Sequence, residues 1–301
     1  MTAIMWLFTC LLWPFLTYGS SKMLESVQMV GEVIENELDC GTIVGFSSLD
    51  AHLLLAVSPV YDLVDTVDEP VLLQKLHRTL VGGFVGLSID TKIALQLAKE
   101  EALTYFGDML EDIPQGYLSL DLANDIYDRS RSNRAPLIYN AMFMGTGAGR
   151  DEKQRGRKPI GLMKVDQSAA FYRCSADAIG QDASKLTQWL TTHKDLLTKD
   201  GETKQKSTHK VTDLNEINRL LQIGLDCLHE NFHGSCKLDL DNAKVEVCLA
   251  YFPDLNLLEN RKFVGPPGLA AEPRIIGPLV VPQALLNNRD AKEWKRFLLK
   301  E

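Results

Sequence analysis

An α+β fold of mostly antiparallel sheets, with helices packed on their outer faces, is predicted by three features of the sequence. Short apolar runs bounded by turn residues come in groups. Segments with apolar residues at every third or fourth position follow them in pairs. The resulting order is strands, two helices, strands, two helices, strand. A doubly wound parallel sheet would instead alternate single strands with single helices.

Taken in order, Thr42 to Ser47 (TIVGFS), His52 to Val57 (HLLLAV) and Leu80 to Leu87 (LVGGFVGL) read as neighbouring strands. A helix is expected from about Asp90 to Phe106, because Ala94, Ala98, Ala102 and Phe106 share one face. Leu118, Leu122 and Ile126 mark a second helix of the same period. After Arg134 and Pro136 strand character returns, over Leu137 to Met144 and Pro159 to Val165. Between these two lies a basic loop with Arg150, Lys153, Arg155, Arg157 and Lys158, which reads as a solvated hairpin tip. Ala183 to Leu197 is a third helix, and Thr198 to Lys210 an exposed, lysine-rich insertion. Asp213 and Glu216 open a fourth helix whose stripe is Leu214, Ile217, Leu221, Leu225 and Leu228, with Gly234 at its end. Lys244 to Tyr251 is the last expected strand. The tail from Val264, with Pro266, Pro267, Pro273, Pro278 and Pro282, reads as extended until a short helix near Asp290 to Leu299.

The 301 residues therefore divide into an apolar leader (1–22), a main domain (23–260) and a Pro-rich C-terminal extension (261–301). Within the leader, Ile4 to Leu16 is uncharged but too short for a bilayer, which takes about 20 residues. It suits the core of a secretory signal, yet no Lys or Arg precedes it and Pro14 interrupts it. No later segment is a membrane candidate. A hydrophobic content of 45% excludes a disordered chain, and a net charge of −8 argues against a nucleic-acid binder. The six cysteines are scattered, as reduced core residues are.

His229-Glu230-Asn231-Phe232-His233 matches H-E-x-x-H, which on a helix turns two imidazoles to one side to bind Zn²⁺, with the Glu as general base. Cys227 and Cys236 lie nearby, but Gly234 ends the helix at once and no G-x-x-H supplies a third ligand. The structural reading, a helix C-terminus with imidazoles near its free carbonyls, is preferred and no metal is expected. There is no phosphate loop and no G-x-S-x-G elbow; Gly145 to Gly149 (GTGAG) reads as a turn, and no cofactor is implied.

A longer pattern is more informative. Asp166-Gln167-Ser168-Ala169-Ala170-Phe171, followed by Cys174-Ser175-Ala176-Asp177-Ala178-Ile179-Gly180, resembles the D-P-S-G-x-[FY] and C-x-A-x-A-I-G run of proteasome α-type subunits. Gly41-Thr42-Ile43-Val44-Gly45 resembles their first strand, and Leu55-Ala56-Val57 sits where they have L-A-V-E-K. Gly86-Leu87-Ser88-Ile89-Asp90 is similar to G-L-x-A-D-A, and Arg134-Ala135-Pro136 to R-P-[FY]-G. The pieces are collinear over about residues 24 to 255.

The resemblance implies a four-layer α-β-β-α sandwich of the N-terminal-nucleophile hydrolase kind. Active β-type members use an N-terminal Thr supported by an Asp and a Lys. Here the nucleophile position falls on Gly41, with Thr42 one place later, and the supporting Asp falls on Val57. Only Lys75 has the expected type. Without a hydroxyl at 41 and a carboxylate at 57 no nucleophile is activated, so no catalytic residue is expected. In α-type subunits the matching Lys lines a pocket between neighbours and pairs with an activator's C-terminal carboxylate, which assigns that role to Lys75. The family's gating segment is replaced by Met23 to Glu37, which keeps helical character but not the gating residues.

The expectation is thus a non-catalytic structural subunit of the proteasome core, active in protein degradation in cytoplasm and nucleus. Its partners would be other α-type and β-type subunits and regulatory particles, with neither nucleic acid nor membrane. The alternatives are a β-type threonine peptidase working through Thr42, a zinc peptidase through His229 and His233, and a stand-alone assembly or binding module of the same fold.

Overall fold

The structure, a computed structural model, describes residues 41–48, 51–59, 72–132, 134–146, 160–193, 214–232, 240, 243–251, 274–287 and 290–298. Four strands come first: β1 (Thr42–Ser47), β2 (Ala51–Pro59), β3 (Leu73–His77) and β4 (Leu80–Gly86). Helices α1 (Ser88–Met109) and α2 (Gln115–Arg131) follow, then β5 (Tyr139–Thr146), β6 (Ile160–Val165), β7 (Phe171–Cys174) and β8 (Ala176–Gly180). Next come α3 (Ala183–Thr192), α4 (Leu214–Phe232), β9 (Ala243–Tyr251), β10 (Arg274–Val280), α5 (Gln283–Leu286) and α6 (Ala291–Leu298).

The strands form two antiparallel sheets, ordered β10-β9-β2-β1-β8 and β3-β4-β5-β6-β7. The α+β class with antiparallel sheets and paired helices is as the sequence predicts. Alternation along the strands decides which residues meet. Val44 and Phe46 of β1, Leu53, Leu55 and Val57 of β2, and Val245, Val247 and Leu249 of β9 cluster with α3, α4 and α6. Phe84, Tyr139, Phe143, Met163 and Val165 of the second sheet cluster with Ala94, Ala98 and Ala102 of α1 and Leu118, Leu122 and Ile126 of α2. The remaining faces supply a third cluster from both sheets: Ile43, Leu54, Ala56 and Cys248 with Leu73, Val81, Met142 and Leu162. The alanine stripe of α1 is what lets that helix lie close to its sheet.

Packing departs from the sequence reading at the C-terminus. The boundary drawn at 260/261 from proline content does not separate the described part of the tail from the body. Arg274–Val280 is an edge strand on β9, and Trp294 and Leu298 are fully buried in the first cluster. The Trp294 indole donates to Leu285 O at 3.0 Å, so burial of this large ring leaves no polar atom unsatisfied. Proline content reports a lost donor, and an edge strand tolerates that loss on its open side. Strand β3, with its mixed side chains, carries no clear alternation and escapes a reading by hydropathy. The leader, the segment 23–37, the basic loop 150–158 and the insertion 198–210 lie outside the described residues. Among the described residues no helix is long and apolar enough to cross a membrane.

Candidate functional site

Strand β1 lies between β2 and β8, with Thr42 opposite Val57 on one side and Gly180 on the other. Gly41, at its start, is hemmed in. A Cβ there would collide with Leu72 Cδ1 and lie 2.7 Å from Val57 O. Gly180 takes φ +98, which glycine adopts without strain, and a side chain there would also press on Gly41 O. The neighbouring amide of Gln181 donates to that same Gly41 oxygen at 3.3 Å. Thr42 is fully buried, and its hydroxyl donates to Gln181 O at 2.6 Å. The position expected to be empty of chemistry is thus filled by a leucine, and the next hydroxyl is sealed in the ladder.

Lys75 sits on the edge strand β3 opposite Val81, with a register shift between it and His77. Its side chain is exposed. Leu72, and not Lys75, is the residue of this segment that reaches Gly41. Two residues before Lys75, the Leu73 amide donates to Oε2 of the buried Glu246 of β9 at 2.9 Å, tying one sheet to the other. Lys244 Nζ stands 3.5 Å from Oε1, an ion-pair distance. Burial raises the Glu246 carboxyl above its ordinary range, against the Leu73 amide and the Lys244 ammonium. Burial also pushes the Cys248 thiol up, helped by Glu246 and opposed by Lys75, which keeps that sulfur protonated and inert. Lys75 is therefore an exposed cation on an edge strand, and its charge is felt at the Cys248 thiol. It can bind a carboxylate.

The far end of the interior holds polar groups that the sequence does not single out. Lys164 of β6 donates to Asp177 Oδ2 of β8 at 2.9 Å and to Ala178 O at 3.1 Å, joining the two sheets. Tyr172 and Thr187 hydroxyls also donate to Asp177, at 3.2 Å and 3.1 Å. Burial works against the Lys164 ammonium, but the adjacent Asp177 outweighs it and its pKa rises. Nearby, Ser47 Oγ lies 2.7 Å from Nδ1 of the buried His52. Burial, with Arg173 adding to it, pushes His52 down to about 3, so its ring is neutral. Asp177 occupies a variable place in the run Cys174 to Gly180, so spacing offered no signal for it.

Asp166 organises the turn between β6 and β7. Its Oδ1 accepts the amides of Ser168 at 2.8 Å and Ala170 at 3.2 Å. Ala169 there takes φ 63, at the place where the resembled pattern has Gly. In the H-E-x-x-H segment, Glu230 Oε2 accepts the Trp189 indole N–H at 2.6 Å, a structural use of the carboxylate. His233 and Cys236 lie outside the described residues. No cluster of three or more metal-binding side chains occurs among the described residues. Cys174 and Cys248 form no disulfide among the described residues.

No family model and no curated protein matches the chain.

Proposed function

We propose that the chain is a catalytically silent α-type subunit of a proteasome-like core complex, with a four-layer α-β-β-α arrangement. The reading is supported by the helix pairs α1/α2 and α3/α4, each packed on its own sheet, and by the cluster drawn from both sheets. One observation carries it: the first strand opens at Gly41, where active relatives of the resembled family hold their nucleophile, and Leu72 with Val57 O takes up that side-chain space. Gly41 has no hydroxyl to present, and a side chain there would have to displace Leu72 and press on the Val57 carbonyl. Thr42 does not replace it, since its oxygen is buried and engaged with Gln181.

The contribution is then interfacial. Lys75 offers a cation to the C-terminal carboxylate of a regulator, in a heteromeric ring that works in cytoplasm and nucleus with other α-type and β-type subunits. The test is to isolate the native protein by mild affinity capture, weigh the complex and identify its chains. A high-mass particle containing threonine-type peptidase subunits is expected. A chain that runs alone, or one that hydrolyses peptides by itself, overturns the reading.

A further inference from the structure

Helices α1 and α2, joined by the short connection 110–114, run back along one another over the second sheet. Tyr105 and Tyr117 fix their seam, with ring centroids 5.1 Å apart and planes tilted by 54°. One turn back along α1 lies Glu101, and one turn on along α2 lies Asp121, so the antiparallel seam sets these carboxylates opposite each other. Neither has a hydrogen-bond or ion-pair partner among the described residues. Burial, Asp121 and Asp108 together hold the Glu101 carboxyl above its ordinary range, and burial and Asp125 do the same to Asp121. Two like charges facing across a helix pair weaken the pairing unless a cation joins them.

Beneath the same stretch stands a hydroxyl with nothing to bond. Tyr139 of β5 is fully buried among Ala94, Ala98, Leu122 and Ile126, and its Oη has no hydrogen-bond partner among the described residues. Burial raises its pKa, and so do Asp125 and Asp121 against Arg129, which places the hydroxyl under the acidic side of α2. Asp125 is already held by Arg129 at 2.7 Å. Glu101, Asp121 and Tyr139 Oη are left as three acceptors on three elements.

We propose that this seam is a binding site for the lysine ammonium of a partner protein, with Glu101, Asp121 and Tyr139 Oη as its acceptors. An ammonium spreads three donors about one point, and three separate acceptors suit it. A guanidinium is a planar fork matched to a single carboxylate, so arginine fits less well. The ring pair at the end of the seam covers the methylene stem and offers its π faces to the charge. Tyr117 is 48% exposed, so the seam is open to solvent on that side. A metal ion is the poorer match, because no group of three or more metal-binding side chains occurs among the described residues. One ammonium at a partly exposed site binds weakly by itself, so the lysine is one that a larger contact presents.

The experiment is a nuclear magnetic resonance titration of the purified full chain, labelled on tyrosine. The probe is a capped tripeptide with lysine at its centre, and the control is the same peptide with norleucine. Saturable shifts of the Tyr105 and Tyr117 ring signals are expected with the lysine peptide and not with the control. Glu101→Gln and Asp121→Asn should each weaken binding about fivefold. Thermal unfolding of the free variants should be unchanged or raised, because a like-charge pair is relieved. Tyr139→Phe should weaken binding too, while the fold loses no hydrogen bond. Absent saturation, or equal binding by wild type and all three variants, overturns the site. Stoichiometric Ca²⁺ or Mg²⁺ at the seam overturns the ammonium assignment, and methylammonium binding as tightly as the peptide overturns the partner protein as its source. A ring subunit whose seam ignores the lysine peptide keeps the proteasome reading without this site, and a stand-alone chain whose seam binds it does the reverse.

Discussion

Leu72 fills the space that any side chain on Gly41 would need, and Val57 O closes the other side of it. The consequence is measurable. Gly41→Thr, the change that would restore a hydroxyl at the nucleophile position, should cost about 1–3 kcal/mol of stability through overpacking. Adding Leu72→Ala should recover part of that loss. Neither variant should hydrolyse a fluorogenic peptide, because Val57 supplies no carboxylate to support a base. Turnover by Gly41→Thr alone would falsify the silent-site reading.

Ala169 holds a left-handed φ of 63 in the β6–β7 turn, with Asp166 O accepting its amide at 3.0 Å. An L side chain in that region costs about 1 kcal/mol, and glycine does not pay it. Ala169→Gly should therefore raise stability by several tenths of a kcal/mol or more, after allowance for the freer unfolded chain. Chemical denaturation would show the midpoint rising at constant slope. A fall in the midpoint would mean that the turn does not depend on this conformation.

Much of the fold is legible in the sequence for a physical reason. Where one face alone is buried, as along Ala94, Ala98 and Ala102 or Ile217, Leu221, Leu225 and Leu228, periodicity records the face directly. Strand β3 escapes because Gln74 and Lys75 sit on an open edge, where hydropathy is not constrained. The tail's extended backbone and its helix near Asp290 are legible, but its pairing with β9 is not, because prolines mark a missing donor, which an edge strand does not need. At the candidate site, Gly41, Val57 and Lys75 could be singled out by aligned positions, but Leu72 could not. Its role arises from a contact across the two sheets, and nothing in its neighbours' spacing encodes that. The Lys164–Asp177 pair is hidden for the same reason: each is an ordinary charged residue until two sheets bring them together.

The neutral, buried His52 makes stability depend on pH. Its pKa is about 3 when folded, against 6.5 in the unfolded chain. Between those values only the unfolded state takes up the proton, so stability is fully present above 6.5 and is lost as pH falls below it. The slope from this one group is at most about 1.4 kcal/mol per pH unit. His52→Leu should flatten the wild-type curve between pH 6.5 and the acid transition, and the difference between the two curves isolates the imidazole from the titrating carboxylates. Parallel curves would show that His52 charges without opening the fold.

Lys164 and Asp177 form a partly buried pair that bridges the sheets, with side-chain exposures of 17% and 10%. Asp177→Leu alone leaves the ammonium without its carboxylate, with the Ala178 carbonyl at 3.1 Å and the Tyr172 ring 5.8 Å away, and should destabilise by about 3 kcal/mol. Lys164→Met alone should cost less, since Tyr172, Thr187 and the Ala178 amide still donate to Asp177. The double substitution should recover most of the loss, because no charge is then left buried. Urea unfolding of the four proteins gives the coupling energy. Additive losses would show that the pair does not act as a unit.

Lys75 separates a role at an interface from a role in the fold. Its ammonium is exposed on the outer strand β3, and its loss should change stability by less than about 0.5 kcal/mol. The same change should weaken binding of a regulator, or of a peptide copying a regulator's C-terminus, because the terminal carboxylate loses its cation. Water at the exposed edge screens that contact, so the expected loss is about 1 kcal/mol, near fivefold in affinity. Lys75→Arg should retain most of the binding, since a guanidinium also donates to a carboxylate. A peptide with an amidated C-terminus supplies the decisive comparison. It should bind wild type and Lys75→Ala equally weakly, while the free-acid peptide discriminates between them. If the free-acid peptide binds both proteins alike, Lys75 is a solvated edge lysine and the pocket assignment falls.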